Sequence, residues 1–225
     1  MGNNIFLTVL CFAAAVIIPY LISGVNSAII VTKIKSGEDI RKIGSGNAGL
    51  TNTLRTQGKI AALFVLLGDI LKGVISILIV HFLFKGLLGI DTYEHTAGYE
   101  WINYLAGVFA VLGHIFPIYY GFKGGKGILV TFSTMLAINW IPALILLGIF
   151  GIFVAITRYV SVGSIIAASC YPFAVLLFGY MNDNPNVWFS FIFAFVIGFM
   201  LVFMHRSNIV RLKNHTEKKL GEKSK

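Results

Sequence analysis

The stretch Ile128 to Thr157, ILVTFSTMLAINWIPALILLGIFGIFVAIT, contains no charged side chain. A hydrocarbon core of ~30 Å is crossed by ~20 apolar residues of helix. The stretch is therefore too long for one ordinary span and short for two. Asn139-Trp140-Ile141-Pro142 near its middle is a turn signal, and the spacing predicts two short spans, the first tucked against its neighbours. The same test works outward in both directions. Upstream it finds Trp101 to Tyr119, Ile60 to Phe84, and Ile5 to Ile30 with a kink expected at Pro19. Downstream it finds Val162 to Tyr180 and Val187 to Met204, joined by Asn182-Asp183-Asn184-Pro185. The expectation is an all-α integral membrane protein of seven transmembrane helices, some short or broken. A five-span count keeps the same parity, so the pair within 128–157 is the open point.

Composition supports this reading. Of 225 residues, 57% are hydrophobic and 12% charged, and the mean hydropathy is +0.84; soluble domains carry roughly 25% charged residues. No polar stretch reaches domain size, so residues 1–225 form one membrane domain ending in a basic tail, 206–225. The N-terminus has no basic n-region and its apolar run exceeds an h-region, so it reads as the first span. Cys11 and Cys170 both lie in apolar runs, which argues against a disulfide framework.

The net charge of +9 is distributed by side. One set of connections holds Lys33, Lys35, Arg41, Lys42, Arg55, Lys59, Lys123, Lys126, Arg158 and the tail from Arg206 onward. The other holds Asp91, Glu94, Glu100 and Asp183, with Lys85 nearby. Cytoplasmic loops carry the excess of Lys and Arg, so the basic set is expected inside. The N-terminus is then outside and the C-terminus cytoplasmic. The same bias explains the positive charge without nucleic acid as a partner.

Three polar segments fall on the basic side. The first is Gly44-Ser45-Gly46-Asn47-Ala48-Gly49-Leu50-Thr51-Asn52-Thr53-Leu54-Arg55. Its glycines permit close approach of backbone to a ligand. Ser45, Asn47, Thr51 and Asn52 offer hydrogen bonds, and Arg55 offers a bidentate fork for phosphate. The second runs from Gly113-His114-Ile115-Phe116-Pro117 into Phe122-Lys123-Gly124-Gly125-Lys126-Gly127. From Gly121 to Gly127 two lysines among four glycines make a cationic backbone nest, the chemistry of a phosphate cradle; it lacks Walker spacing. The third is His205-Arg206-Ser207-Asn208-Ile209-Val210-Arg211-Leu212, followed by Asn214-His215-Thr216-Glu217-Lys218. His205, Asn208 and Arg211 recur at threes and share a helix face. Asp69 and Lys72, also three apart, lie inside a predicted span, where ionisable groups face protein or a wet cavity.

Together these segments resemble the bacterial integral-membrane glycerol-3-phosphate acyltransferases that use acyl phosphate, the PlsY family. The family pattern Ser-Gly-Asn-x-Gly-x-Thr-Asn-x-x-Arg is met at Ser45 to Arg55. Gly-His-x-x-Pro with Phe-x-Gly-Gly-Lys-Gly is met at Gly113 to Gly127, and His-x-x-Asn with a Glu-containing tail at His205 to Lys218. Asp69-Ile70-Leu71-Lys72-Gly73 matches too. The resemblance implies a seven-span fold with an external N-terminus and a cytoplasm-facing site in the bacterial cell membrane. It implies transfer of an acyl group from acyl phosphate to the 1-hydroxyl of glycerol 3-phosphate, giving lysophosphatidic acid and inorganic phosphate, with the donor supplied by a soluble acyl-phosphate synthase. It further implies catalytic roles for Ser45, Arg55, Lys126, His205 and Asn208. Substrate contacts would come from these and from Gly46, Asn47, Thr51, Asn52, His114, Lys123, Gly124, Gly125 and Gly127. Asp69, Lys72, Arg211 and Glu217 would support the site. Neither a cofactor nor a metal is expected: Glu38, Asp39, Asp69, Glu217 and Glu222 lack clustered metal-ligand spacing. Leu50, the Ile128 to Thr131 stretch and the Asn214 to Glu217 tail depart from the family pattern.

A small membrane transporter of an organic phosphate is the alternative, since glycine-rich polar segments suit transporters. Transport needs polar groups near the midplane and access from both faces, whereas the donors here crowd one side. A non-enzymatic lipid-binding subunit would leave Lys126 among four glycines unexplained.

Overall fold

The computed structural model describes residues 5–222. Ten α-helices follow in order: α1 Ile5–Gly24, α2 Ser27–Ser36, α3 Leu50–Gln57, α4 Lys59–Leu88, α5 Trp101–Ile115, α6 Ile128–Ile138, α7 Trp140–Thr157, α8 Val160–Met181, α9 Val187–Met204 and α10 Arg206–Lys213. No strand occurs among the described residues. Among the described residues, six segments are long and apolar enough to cross a membrane: Ile5–Ser36, Lys59–Leu88, Trp101–Tyr120, Trp140–Thr157, Val160–Met181 and Val187–Met204.

The seventh expected span differs. The 128–157 stretch does break at Asn139, whose side chain accepts from the Ile141 amide and caps α7. However, α6 has only 11 residues, about 16 Å of helix and half the hydrocarbon thickness. Its N-terminus lies inside the bundle: Gly127 adjoins Val111, Ile115 and Leu201. Its C-terminal residues Ile138 and Asn139 share a small cavity with Tyr93, His95 and Asn182 at the opposite end. The glycine segment before α6 thus covers part of the depth that helix would otherwise cover.

The first span also differs from expectation. Pro19 sits within an unbroken α1, and the break comes later, at Val25–Asn26. Asn26 accepts from the Ile29 amide and caps α2. Lys72 Nζ donates to the Val25 carbonyl that the break leaves free, at 3.0 Å. A cation from α4 therefore supplies the partner that lipid cannot.

Small residues let the helices close. A Cβ on Gly113 of α5 would lie 2.2 Å from the Tyr20 carbonyl oxygen of α1, and one on Gly198 of α9 would lie 2.7 Å from the Ala168 carbonyl of α8. This is the close backbone approach that membrane helices use for packing. Between them Phe84, Tyr104, Ile115, Met135, Ile197 and Leu201 are buried. The outward faces are apolar instead: Ile5 is 76% exposed, Phe64 60% and Phe199 65%, a surface suited to lipid and not to water. The chain is a multi-pass membrane protein.

At one end the loops 89–100 and 182–186 are clasped by a buried carboxylate. Glu100 accepts from Asn184 at 3.0 Å and lies 3.2 Å from His95 Nδ1. The other end carries the basic segments and the site.

Candidate active site

A cavity of about 960 Å³ opens at the basic end, at the upper limit for small-molecule sites. Its polar mouth is lined by Ser45, Arg55, Lys126, His205, Asn208 and Glu217, drawn from three sequence-distant segments. Its inner arm runs between α6, α7 and α8 and is lined by apolar side chains.

The first wall is the loop before α3. Asn52 is 1% exposed and holds that loop: its Nδ2 donates to the carbonyls of Ile40 and Ile43, and its Oδ1 accepts from the Ser45 amide at 2.9 Å. Asn52 therefore shapes the segment through its amide group. Asn52 also lines the cavity, with Ser45, Gly46, Asn47, Thr51 and Arg55 beside it. One face of Arg55 donates to the Lys218 carbonyl at 3.2 Å.

The second wall is the glycine segment, and here the expected phosphate nest needs correcting. The Gly124 and Gly125 amides donate to the carbonyls of Ile115 and His114, at 3.0 and 3.1 Å. They are not free to cradle an anion. Both glycines serve packing: a Cβ on Gly124 would lie 2.0 Å from the His114 carbonyl, and one on Gly125 2.2 Å from His114 Nε2 and 2.5 Å from the Ala48 carbonyl. Neither these two glycines nor Lys123 lines the cavity, whereas Lys126 and Gly127 do. Lys123 lends its carbonyl to Arg41.

His114 is the post on which this segment rests. It is 4% exposed, and its Nδ1 lies 3.0 Å from Lys72 Nζ. Lys72 pairs with Asp69 at 2.9 Å, and Asp69 Oδ1 also accepts from Ser27 at 2.9 Å. The intra-span ion pair expected from spacing is thus buried and extended into a chain joining α2, α4 and α5. Buried charge of this kind is tolerated where it is paired and hydrogen-bonded.

The third wall is α10 and the tail. Lys126 Nζ donates to Asn208 Oδ1. Asn208 Nδ2 donates to Glu217 Oε1 at 2.6 Å, Ser161 donates to the same oxygen at 2.8 Å, and Arg211 Nε donates to Glu217 Oε2 at 2.6 Å. Burial pushes the Glu217 carboxyl up, but the hydrogen bonds from Asn208, Arg211 and Ser161 outweigh it and hold it below the usual range. Beyond it the Leu220 amide donates to the Arg158 carbonyl at 2.7 Å. The tail is strapped to the bundle.

Two titrations matter. Burial lowers Lys126 to about 8, with the Arg211 charge adding to the fall. Burial, with Lys126 nearby, lowers His205 to about 4, so its imidazole is neutral at pH 7. The His205 Nδ1 is 2.8 Å from the Leu201 carbonyl and donates to it, which leaves Nε2 as the acceptor.

The sequence profile described as Glycerol-3-phosphate acyltransferase matches residues 13–215. The chain belongs to the glycerol-3-phosphate acyltransferase family. A glycerol-3-phosphate acyltransferase of Clostridioides difficile (strain 630) is 42% identical over 92% of this chain and 94% of its own. One from Nostoc sp. (strain PCC 7120) is 38% identical over 93% and 92%. Among solved structures, PlsY (YgiH), an integral membrane glycerol 3-phosphate acyltransferase in its glycerol 3-phosphate form, superposes with a TM-score of 0.76 at 30% identity, covering 93% of this chain and 96% of that one. Its lysophosphatidic acid form gives 0.73 at 29% identity. The resemblance to the PlsY family therefore holds over nearly the whole chain.

Sequence reasoning missed two contributors to this acyltransferase-family site. Arg41 donates to the Tyr120 and Lys123 carbonyls, at 2.8 and 3.2 Å, while its Nη2 pairs with Asp39 at 2.7 Å. It ties the first wall to the second. Ser161 holds Glu217 from α8. Asp39 and Arg41 look like ordinary loop charges, and a serine at a helix start looks like a cap, so neither carried a signal of its own.

Proposed function

We propose that this chain transfers a fatty acyl group from acyl phosphate to the 1-hydroxyl of glycerol 3-phosphate at the cytoplasmic face of the bacterial inner membrane. The observation that carries this reading is one cavity in which Arg55, Lys126, His205 and Asn208 meet at the mouth of an apolar arm. A phosphate-bearing headgroup suits the mouth and an acyl tail suits the arm.

In the proposed reaction the 1-hydroxyl oxygen attacks the acyl carbonyl carbon. The bond from that carbon to the phosphate oxygen breaks, and inorganic phosphate leaves with the electron pair. The products are lysophosphatidic acid and phosphate. The donor is a mixed anhydride and already activated, so no protein nucleophile is needed. Positioning and charge stabilisation supply the rate. Ser45, Asn47, Thr51 and Arg55 hold the glycerol 3-phosphate, and Lys126 neutralises charge at the departing phosphate. His205, with its basicity reduced by burial, is a weaker proton acceptor than the departing phosphate. The leaving group takes the hydroxyl proton.

Topology follows from charge. With the basic end inside, seven passes put the N-terminus outside, counting the glycine segment and α6 as one. A soluble acyl-phosphate synthase then reaches the cavity from the cytoplasm. The test offers purified protein glycerol 3-phosphate with acyl phosphate, acyl-CoA or acyl-carrier protein in turn. Turnover with acyl phosphate alone is expected, and Lys126→Ala should abolish it in folded protein. Equal use of acyl-CoA would overturn the donor assignment.

A further inference from the structure

Beyond Val160 at its start, the helix α8 presents one stripe to the cavity: Ser161, Ser164, Ala167, Ala168 and Tyr171. The spacing follows the helical repeat, so these side chains lie one above another. Four are small and the fifth is large. Ser161 marks the polar mouth, because it hydrogen-bonds Glu217. Tyr171 lies ten residues further along α8, ~15 Å deeper, and ten residues short of the helix end at Met181. Across from it on α6, Met135 also lines the cavity, and each of the two is 2% exposed. The Tyr171 hydroxyl is buried without a hydrogen-bond partner among the described residues. The hydroxyl lies close enough to Glu100 and Tyr104 to interact with both electrostatically, while the ring forms the cavity wall.

We propose that Tyr171 is the specificity-determining stop for the acyl chain: the tail lies along the small-residue stripe of α8 and its end meets the Tyr171 ring. This rests on the acyl-phosphate reading above and assigns the limit on chain length. An extended alkyl chain advances about 1.3 Å per carbon, from C–C bonds of about 1.5 Å. The stripe thus accommodates roughly twelve carbons in line. Longer tails must bend there or pass out toward lipid beside Leu147, which lines the cavity and is 44% exposed.

The experiment uses the full chain in detergent with two length series. One is turnover of saturated acyl phosphates of increasing length. The other is the rise in Tm given by lysophosphatidic acids of the same lengths, which needs no donor. Tyr171→Ala should move both optima to longer chains and raise the long-to-short ratio about tenfold, the scale of one misfitted methylene in an apolar pocket. Ala167→Phe should move both optima to shorter chains, and Tyr171→Phe should keep the wild-type optimum. A merely structural role would lower all lengths alike. Unchanged optima in both Tyr171→Ala and Ala167→Phe overturn the inference, and if one variant fails to fold the other decides. Should the wild type turn over no acyl phosphate, the donor reading fails, and the lysophosphatidic acid series alone still decides this one: a shifted optimum supports it and a flat profile overturns it.

Discussion

The half-buried ammonium of Lys126 sits among Arg211, Arg55 and Glu217, and its pKa falls to about 8 chiefly through burial. The sign of the consequence is fixed. A lowered lysine pKa means the neutral form appears at lower pH than in free lysine. If Lys126 must be cationic to bind and stabilise phosphate, kcat/KM should fall above about pH 8, because that ratio reports the free enzyme. Bound phosphate favours the charged amine, so kcat should fall only at higher pH. A rate–pH series that stays level in kcat/KM to pH 10 would remove Lys126 from this role. Lys126, His205 and Asn208 were legible in the sequence because charged and amide groups are rare in so apolar a chain. The role of Asn52 was less legible. A polar side chain in a motif looks the same whether it faces a ligand or holds its own loop, and only the burial of its amide separates the two.

At the level of elements, the segment from Gly121 to Gly127 shows why one motif can be found correctly and explained wrongly. Glycine density signals either backbone donors for an anion or the absence of side-chain volume. Here the amides of Gly124 and Gly125 bond to Ile115 and His114, so the second meaning holds for both. The expected outcome for Gly125→Ala follows from this. Its methyl would press on His114 Nε2 and the Ala48 carbonyl, and overpacking of this kind costs about 1–3 kcal/mol. The segment must yield and carry Lys126 with it. Turnover should drop at least about tenfold, since small displacements at a reacting centre cost that much or more, and Tm should fall as well. A variant with wild-type turnover and Tm would show that the segment is looser than its contacts indicate. The break in α1–α2 was invisible for a related reason. Pro19 is the local signal, but the break at Val25–Asn26 is made by distant groups: Lys72 takes the freed carbonyl and Asn26 reaches Ala48.

For the molecule as a whole, six long apolar spans among the described residues and the gathering of the basic segments at one end followed from hydropathy and charge alone. A short first helix in 128–157 was expected too, but not that α6 would fall below a spanning length, because an uncharged run has no marker for depth. Charge also argues for the proposed orientation. Lys85 is the cation of the acidic end and is already paired with Asp91 at 2.8 Å, whereas Arg55, Lys126, Arg158 and Arg211 gather at the other end without equal acidic charge. The transporter alternative needs a path to both faces; the apolar arm instead ends among the buried side chains of Met135 and Tyr171. Orientation can be read by labelling with a membrane-impermeant maleimide. Cys11 is buried and Cys170 partly so, and replacing both by alanine removes the background. Thr96→Cys, exposed in the acidic-end loop, should label in intact cells. Lys213→Cys, exposed at the end of α10, should label only after lysis. The reverse pattern would put the cavity mouth outside, away from any cytoplasmic acyl donor, and the proposed reaction could not be fed.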